Sequence, residues 1–120
     1  MARILVVEDD PDVRLAVEHV LLDGGHAVEA LVTVADGRRR LEAKDYDLLL
    51  ADGRLADGTG MELADQAAER GIPALIITGY AFILRELAGD PTKYRVLLKP
   101  MRPKELLYAV EQALADHAPS

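Results

Sequence analysis

The sequence predicts an α/β fold, a doubly wound five-stranded parallel sheet with helices on both faces. Turn signals divide its 120 residues into short apolar runs alternating with longer stretches of helical periodicity, the pattern of repeated strand-helix units. Three runs, Ile4-Leu5-Val6-Val7, Leu48-Leu49-Leu50 and Ala74-Leu75-Ile76-Ile77, contain no polar residue, as strands covered on both faces require. The polar residues that end these runs all fall on one rim of the sheet.

The first strand is read over 4–7. Asp10 is then positioned as an N-cap and Pro11 as the first helical residue, and Val13, Ala16, Val17, Val20 and Leu21 make one apolar face before Gly24-Gly25 stops the helix. The second strand, 27–32, carries His26 and Glu29 among its apolar residues, which suits an edge. Thr33 caps a second helix to about residue 44, where Gly37 costs roughly 1 kcal/mol relative to alanine. The third strand covers 47–51. A helix from about 60 to 70 follows, capped by Thr59 and closed by Gly71. The fourth strand spans 74–78. After it, only Phe82, Ile83, Leu84 and Leu87 offer an apolar face before Gly89-Asp90-Pro91, so a fourth helix holds barely two turns and is expected to be the least stable element. The fifth strand, 94–99, opens on Tyr94-Arg95 and reads as the other edge. The last helix starts near Pro103 and sends Leu106, Leu107, Val110, Ala113 and Leu114 to the core. Central apolar strands and polar edges together give the strand order 2-1-3-4-5 of flavodoxin-like folds.

Residues 1–120 fit one domain, and with half of them apolar they can bury one sizeable core. The chain lacks cysteine, which excludes disulfides, thiolate metal sites and thiol nucleophiles. Its 21 acidic and 14 basic residues give a net charge of −7, against the basic footprint that nucleic-acid binding needs. The first apolar run is too short for a signal-peptide core or a membrane span, so a cytoplasmic protein is expected. Arg38-Arg39-Arg40 reads as the solvated face of a helix, the alternative being a patch for an acidic partner. His19, His26 and His117 have no ligand spacing and are read as surface residues.

In open parallel sheets ligands bind beyond the carboxyl ends of the strands. Here those ends carry Glu8-Asp9-Asp10, Asp52, Thr78 and Lys99-Pro100. Three converging carboxylates, Glu8, Asp9 and Asp52, repel one another unless a cation sits among them, and an all-oxygen set with few protein ligands suits Mg²⁺. Lys99 adds an ammonium and Thr78 a hydroxyl donor, groups that would share the oxygens of a phosphoryl group on a carboxylate. Asp52, at the centre of the rim, is the natural nucleophile. Asp52-Gly53-Arg54 lacks the second carboxylate, two residues on, that an aspartate-nucleophile phosphatase would use as general acid. A nucleotide-binding Gly-rich turn after the first strand is missing too.

Val7-Glu8-Asp9-Asp10, Asp52, Thr78-Gly79 and Lys99-Pro100, in that order over the full length, resemble the bacterial response-regulator receiver family. The resemblance implies that Glu8 and Asp9 hold Mg²⁺, that Asp52 is phosphorylated and also ligates the ion, and that Arg54 gives it a backbone carbonyl. It further implies that Thr78 and Lys99 contact phosphoryl oxygens, that Gly79 leaves the site open to a phosphodonor, and that the Lys99-Pro100 bond is cis. The stretch from Asp57 to Leu63 resembles the family's loop into its third helix. A receiver of this kind is a phosphoacceptor switch rather than an enzyme. It takes its group from a sensor histidine kinase or phosphotransfer protein and acts on a downstream protein target. The aromatic usual three residues before the lysine is Val96 here, and Thr78-Gly79-Tyr80 resembles a subgroup that places an aromatic after the threonine instead. Tyr80 reads either as the moving switch residue or as a packing residue at a loop tip. Val96 and the short fourth helix also keep open a phosphorylation-independent interaction module on the same fold.

Overall fold

The computed structural model describes residues 1–79 and 94–117. Tyr80 and the proposed fourth helix lie outside the described residues. The sheet strands are β1 (Arg3–Val7), β2 (Ala27–Leu31), β3 (Leu48–Asp52), β6 (Ala74–Thr78) and β7 (Arg95–Leu98), all paired in parallel in the order β2-β1-β3-β6-β7. Counted along the chain, this is the expected 2-1-3-4-5. The short strands β4 (Arg54–Leu55) and β5 (Gly58–Thr59) form an antiparallel hairpin between β3 and the next helix, an element that the sequence pattern did not signal.

The helices α1 (Pro11–Asp23), α2 (Val34–Ala43) and α3 (Gly60–Glu69) and a last helix, Pro103–His117, start at the expected local signals. Asp10 caps α1 by accepting the Asp12 and Val13 N–H groups at 2.9 and 3.3 Å. Thr33 accepts the Asp36 N–H at 3.1 Å and Thr59 the Glu62 N–H at 3.3 Å. Such caps satisfy amides that the helix leaves without partners, each worth about 1 kcal/mol.

The sheet divides the interior in two. Alternate residues of the central strands point to opposite faces: Leu5, Leu49 and Ile76 pack against α2 and α3, whereas Ile4, Val6, Leu48, Leu50 and Ile77 pack against α1 and the last helix. Gly37 is explained on the first face. A Cβ there would sit 3.0 Å from Leu63 Cδ1 and 3.3 Å from Val7 Cγ2, so glycine lets α2 approach α3 and β1 closely.

The arginine run is bound within the molecule. Arg38 pairs with Glu62, Arg39 with Asp36 and Arg40 with Glu29, which supports the solvated-face reading. His26 departs from the surface reading. It is 8% exposed, with Nδ1 accepting the Ala2 N–H at 3.1 Å and Nε2 3.1 Å from Glu111 Oε1. The donor at Nδ1 places the ring proton on Nε2, so this histidine ties Ala2, the residue before β1, to the last helix. His19 is exposed beside Asp23, and the His117 side chain is outside the described set.

Candidate functional site

Four strands end level on one rim. The Glu8 N–H donates to Leu31 O at 3.0 Å, which carries the β1–β2 ladder one residue further and leaves Glu8 fully buried. Asp52 is the last residue of β3 and is 6% exposed. Thr78 ends β6, also fully buried, and its carbonyl accepts the Lys99 N–H at 2.9 Å just beyond β7. The Lys99-Pro100 peptide is cis. Asp9, Asp10, Asp52, Arg54, Leu55, Ala56, Gly79 and Lys99 line an open cleft of about 480 Å³.

Lys99 Nζ lies 2.6 Å from Glu8 Oε1 and 3.1 Å from Asp52 Oδ2. Carboxylate oxygens of Glu8, Asp9 and Asp52 lie within 4.8 Å of one another. The donor set is hard, oxygen-only and negative, with open volume beside it, and it fits a hydrated Mg²⁺ better than any softer ion. Gly79 faces open space, since a Cβ there would meet only Lys99 Cβ at 4.0 Å.

Burial pushes the Glu8 carboxyl up to about 7, and the nearby Asp52 adds to the rise through its hydrogen bond and charge, while Lys99 opposes it. Burial also works against the Lys99 charge, but the hydrogen bonds and charges of Glu8 and Asp52 outweigh it and hold Lys99 above its ordinary value. One lysine thus serves two carboxylates that crowd each other.

The raised Glu8 value sets a pH dependence. The folded chain binds this proton more tightly than the unfolded chain does, so without metal stability falls as pH rises from about 4.5 to about 7. The loss is on the order of 3 kcal/mol. Urea unfolding in chelator across that range is expected to show the slope in the wild type and to lose most of it in Glu8→Gln. An unchanged slope in the variant would assign the proton elsewhere.

Several supporting contacts were not visible in the sequence. Arg14 Nη1 on α1 donates to the Glu8 carbonyl at 2.9 Å. The Arg54 N–H donates to Asp52 Oδ1 at 3.3 Å. Gly60 passes directly against Asp52: a Cβ there would lie 2.2 Å from the Asp52 carbonyl oxygen. The turn and cap signals around Thr59 located this loop, but not its return onto β3.

The family model described as the response regulator receiver domain matches residues 4–111. The response regulator receiver protein CpdR of Brucella abortus is 32% identical over 117 residues, covering 95% of this chain and 98% of that protein. The transcriptional regulatory protein TcrA of Mycobacterium tuberculosis is 33% identical across 98% of this chain, which spans only 47% of TcrA. The crystal structure of a response regulator receiver protein from Sinorhizobium medicae superposes with a TM-score of 0.86 at 27% identity, over 97% of this chain and 96% of that one. With motif order, sheet order and rim geometry agreeing with these likenesses, the chain belongs to the response regulator receiver domain family of two-component systems.

Proposed function

We propose that this domain is a Mg²⁺-dependent phosphoacceptor switch in which Asp52 carries the phosphoryl group. The observation behind this reading is the cluster itself: a buried carboxylate at the end of the central strand, two further carboxylates within 4.8 Å, and a lysine 3.1 Å from Asp52 Oδ2. Receiver domains of this family bind Mg²⁺ at their acidic pocket and work between histidine kinases and downstream effectors. In this chain Glu8, Asp9, Asp52 and the Arg54 carbonyl would hold the ion. When bound, it supplies positive charge that offsets the repulsion between the carboxylates and an incoming phosphoryl group.

An Asp52 carboxylate oxygen attacks phosphorus, an O–P bond forms, and the donor's P–N bond breaks, the nitrogen keeping the electron pair and taking up a proton. Lys99 is placed to follow the developing charge, because its two present partners include the attacking carboxylate. Thr78 stands at the adjacent strand end as the hydroxyl donor. Loss of the signal is attack of water on phosphorus, which returns Asp52 as a carboxylate and releases phosphate. No separate substrate is turned over, so the domain acts as a switch rather than as an enzyme.

The donor is a sensor histidine kinase or a phosphotransfer protein, the output a downstream protein target, and the setting the cytoplasm. The net charge of −7 argues against nucleic acid as a partner of this domain. Among the described residues no helix is long and apolar enough to cross a membrane.

Incubation with Mg²⁺ and a small phosphodonor is expected to add one phosphoryl mass that maps to Asp52. The adduct should be absent in chelator and in Asp52→Asn. Phosphorylation of Asp52→Asn to the wild-type extent would overturn the reading, and a folded, Mg²⁺-bound wild type that never takes the group would favour the phosphate-independent module.

A further inference from the structure

The hairpin β4–β5 carries Arg54 at its base and Asp57 at its tip, and the tip is fastened to a different element. Asp57 Oδ1 accepts the Val34 N–H at 2.8 Å and Oδ2 the Ala35 N–H at 3.1 Å, so one exposed carboxylate grips the first two amides of α2. Contact continues beside it, where a Cβ on Gly58 would stand 3.2 Å from Val34 Cγ2.

The helix has little need of this bond. Thr33 already caps α2 through the Asp36 N–H, and first-turn amides at an exposed helix start are otherwise satisfied by water. The hairpin needs it more. β4 and β5 are two residues each, a ladder too short to hold itself in place, and Leu55 buries only the strand that precedes the tip. At the base of the same hairpin the Arg54 N–H donates to Asp52 Oδ1.

We propose that Asp57 is a positioning residue, which fixes the hairpin against α2 and so holds Arg54 in register with Asp52 for metal binding. The metal part rests on the reading of the cleft given above. Asp57 does not touch the cleft, and its effect passes through the hairpin.

Amide hydrogen exchange in chelator and calorimetric titration with MgCl₂ test this, on wild type, Asp57→Ala, Asp57→Asn and Thr33→Ala. Thr33→Ala is the control, because it removes the other cap of the same helix without touching the hairpin. Asp57→Ala is expected to speed exchange over residues 53–59 and to weaken Mg²⁺ binding roughly tenfold, the size typical for groups that orient a ligand. Asp57→Asn, which keeps one acceptor oxygen, should recover part of both. Thr33→Ala should leave both near wild type even where it lowers Tm. Equal effects of Asp57→Ala and Thr33→Ala, or none from Asp57→Ala, would overturn the proposal. Were the wild type itself blind to Mg²⁺, the metal reading would fall, while unchanged exchange at 53–59 in Asp57→Ala would separately overturn the role of Asp57.

Discussion

Gly60→Ala is expected to disable the site and to destabilise the fold on the order of 3 kcal/mol. The new Cβ would stand 2.2 Å from the carbonyl oxygen of Asp52, 3.0 Å from its carbonyl carbon and 3.2 Å from Ala51 Cβ. Two of these neighbours are backbone of a fully paired central strand, so no side-chain rotation relieves the overlap and the chain itself must shift by about an ångström. Overpacking of this kind costs 1–3 kcal/mol or somewhat more, which exceeds the roughly 1 kcal/mol that alanine returns over glycine inside a helix. The shift falls on Asp52, the residue proposed to take the phosphoryl group, where a misplacement of about 1 Å costs on the order of a hundredfold in rate. Gly37→Ala and Gly79→Ala provide the scale. The first meets side-chain methyls at 3.0–3.3 Å, which can yield, and the second meets almost nothing. Denaturant midpoints and phosphorylation rates should therefore rank Gly79→Ala mildest, Gly37→Ala next and Gly60→Ala worst. A Gly60→Ala protein with wild-type stability and wild-type uptake would refute the close approach.

Lys99→Ala should separate metal binding from phosphoryl transfer. Removing the ammonium leaves Glu8 and Asp52 facing each other with no cation, and breaking a buried pair in this way costs up to roughly 3–5 kcal/mol. Glu8 limits the damage by taking up a proton, so the loss should be smaller at pH 5 than at pH 8. Lys99's own raised value contributes stability that is complete below its ordinary value of 10.5 and fades only above it, so Lys99 titration adds no slope in this window. A divalent ion becomes the best remaining partner for the carboxylates, and Mg²⁺ should stabilise Lys99→Ala at least as much as it stabilises the wild type. Phosphorylation should nevertheless fall by about a hundredfold or more, as for other lost donors to a developing charge. Thermal melts with and without MgCl₂, set beside uptake from a small phosphodonor, check both halves. Wild-type uptake in Lys99→Ala would remove the lysine from the chemistry.

The sequence revealed whatever depends on neighbours along the chain. Unbroken runs such as Leu48-Leu49-Leu50 announce strands covered on both faces, and Asp10, Thr33 and Thr59 announce helix starts because each cap reaches only two or three residues ahead. The rim residues were legible for a related reason: in a parallel sheet every strand ends on the same side, so the polar residue that closes each apolar run must arrive near the others. Contacts set by tertiary approach left no such mark. Asp57 meets Val34 across 23 positions, and His26 meets Glu111 across 85. The histidine was misread because a polar ring among mixed neighbours resembles a surface residue until the last helix closes over it. Gly37 looked like a local cost, and its reason is a second helix. For Tyr80 and the segment after it the sequence remains the source of the reading.

A single layer of backbone separates the two interiors of this molecule, and that partition has an evolutionary consequence. Leu49 belongs to one interior and its neighbours Leu48 and Leu50 to the other, so substitutions on the two sides share few partners and should combine nearly additively. Lineages can then remodel one helical layer, and with it the surface shown to a partner, while the opposite layer drifts on its own. The rim stands apart from that freedom. Glu8, Asp52 and Thr78 stand at the ends of central strands packed by helices on both faces, so remodelling the outer surface of either layer need not move them.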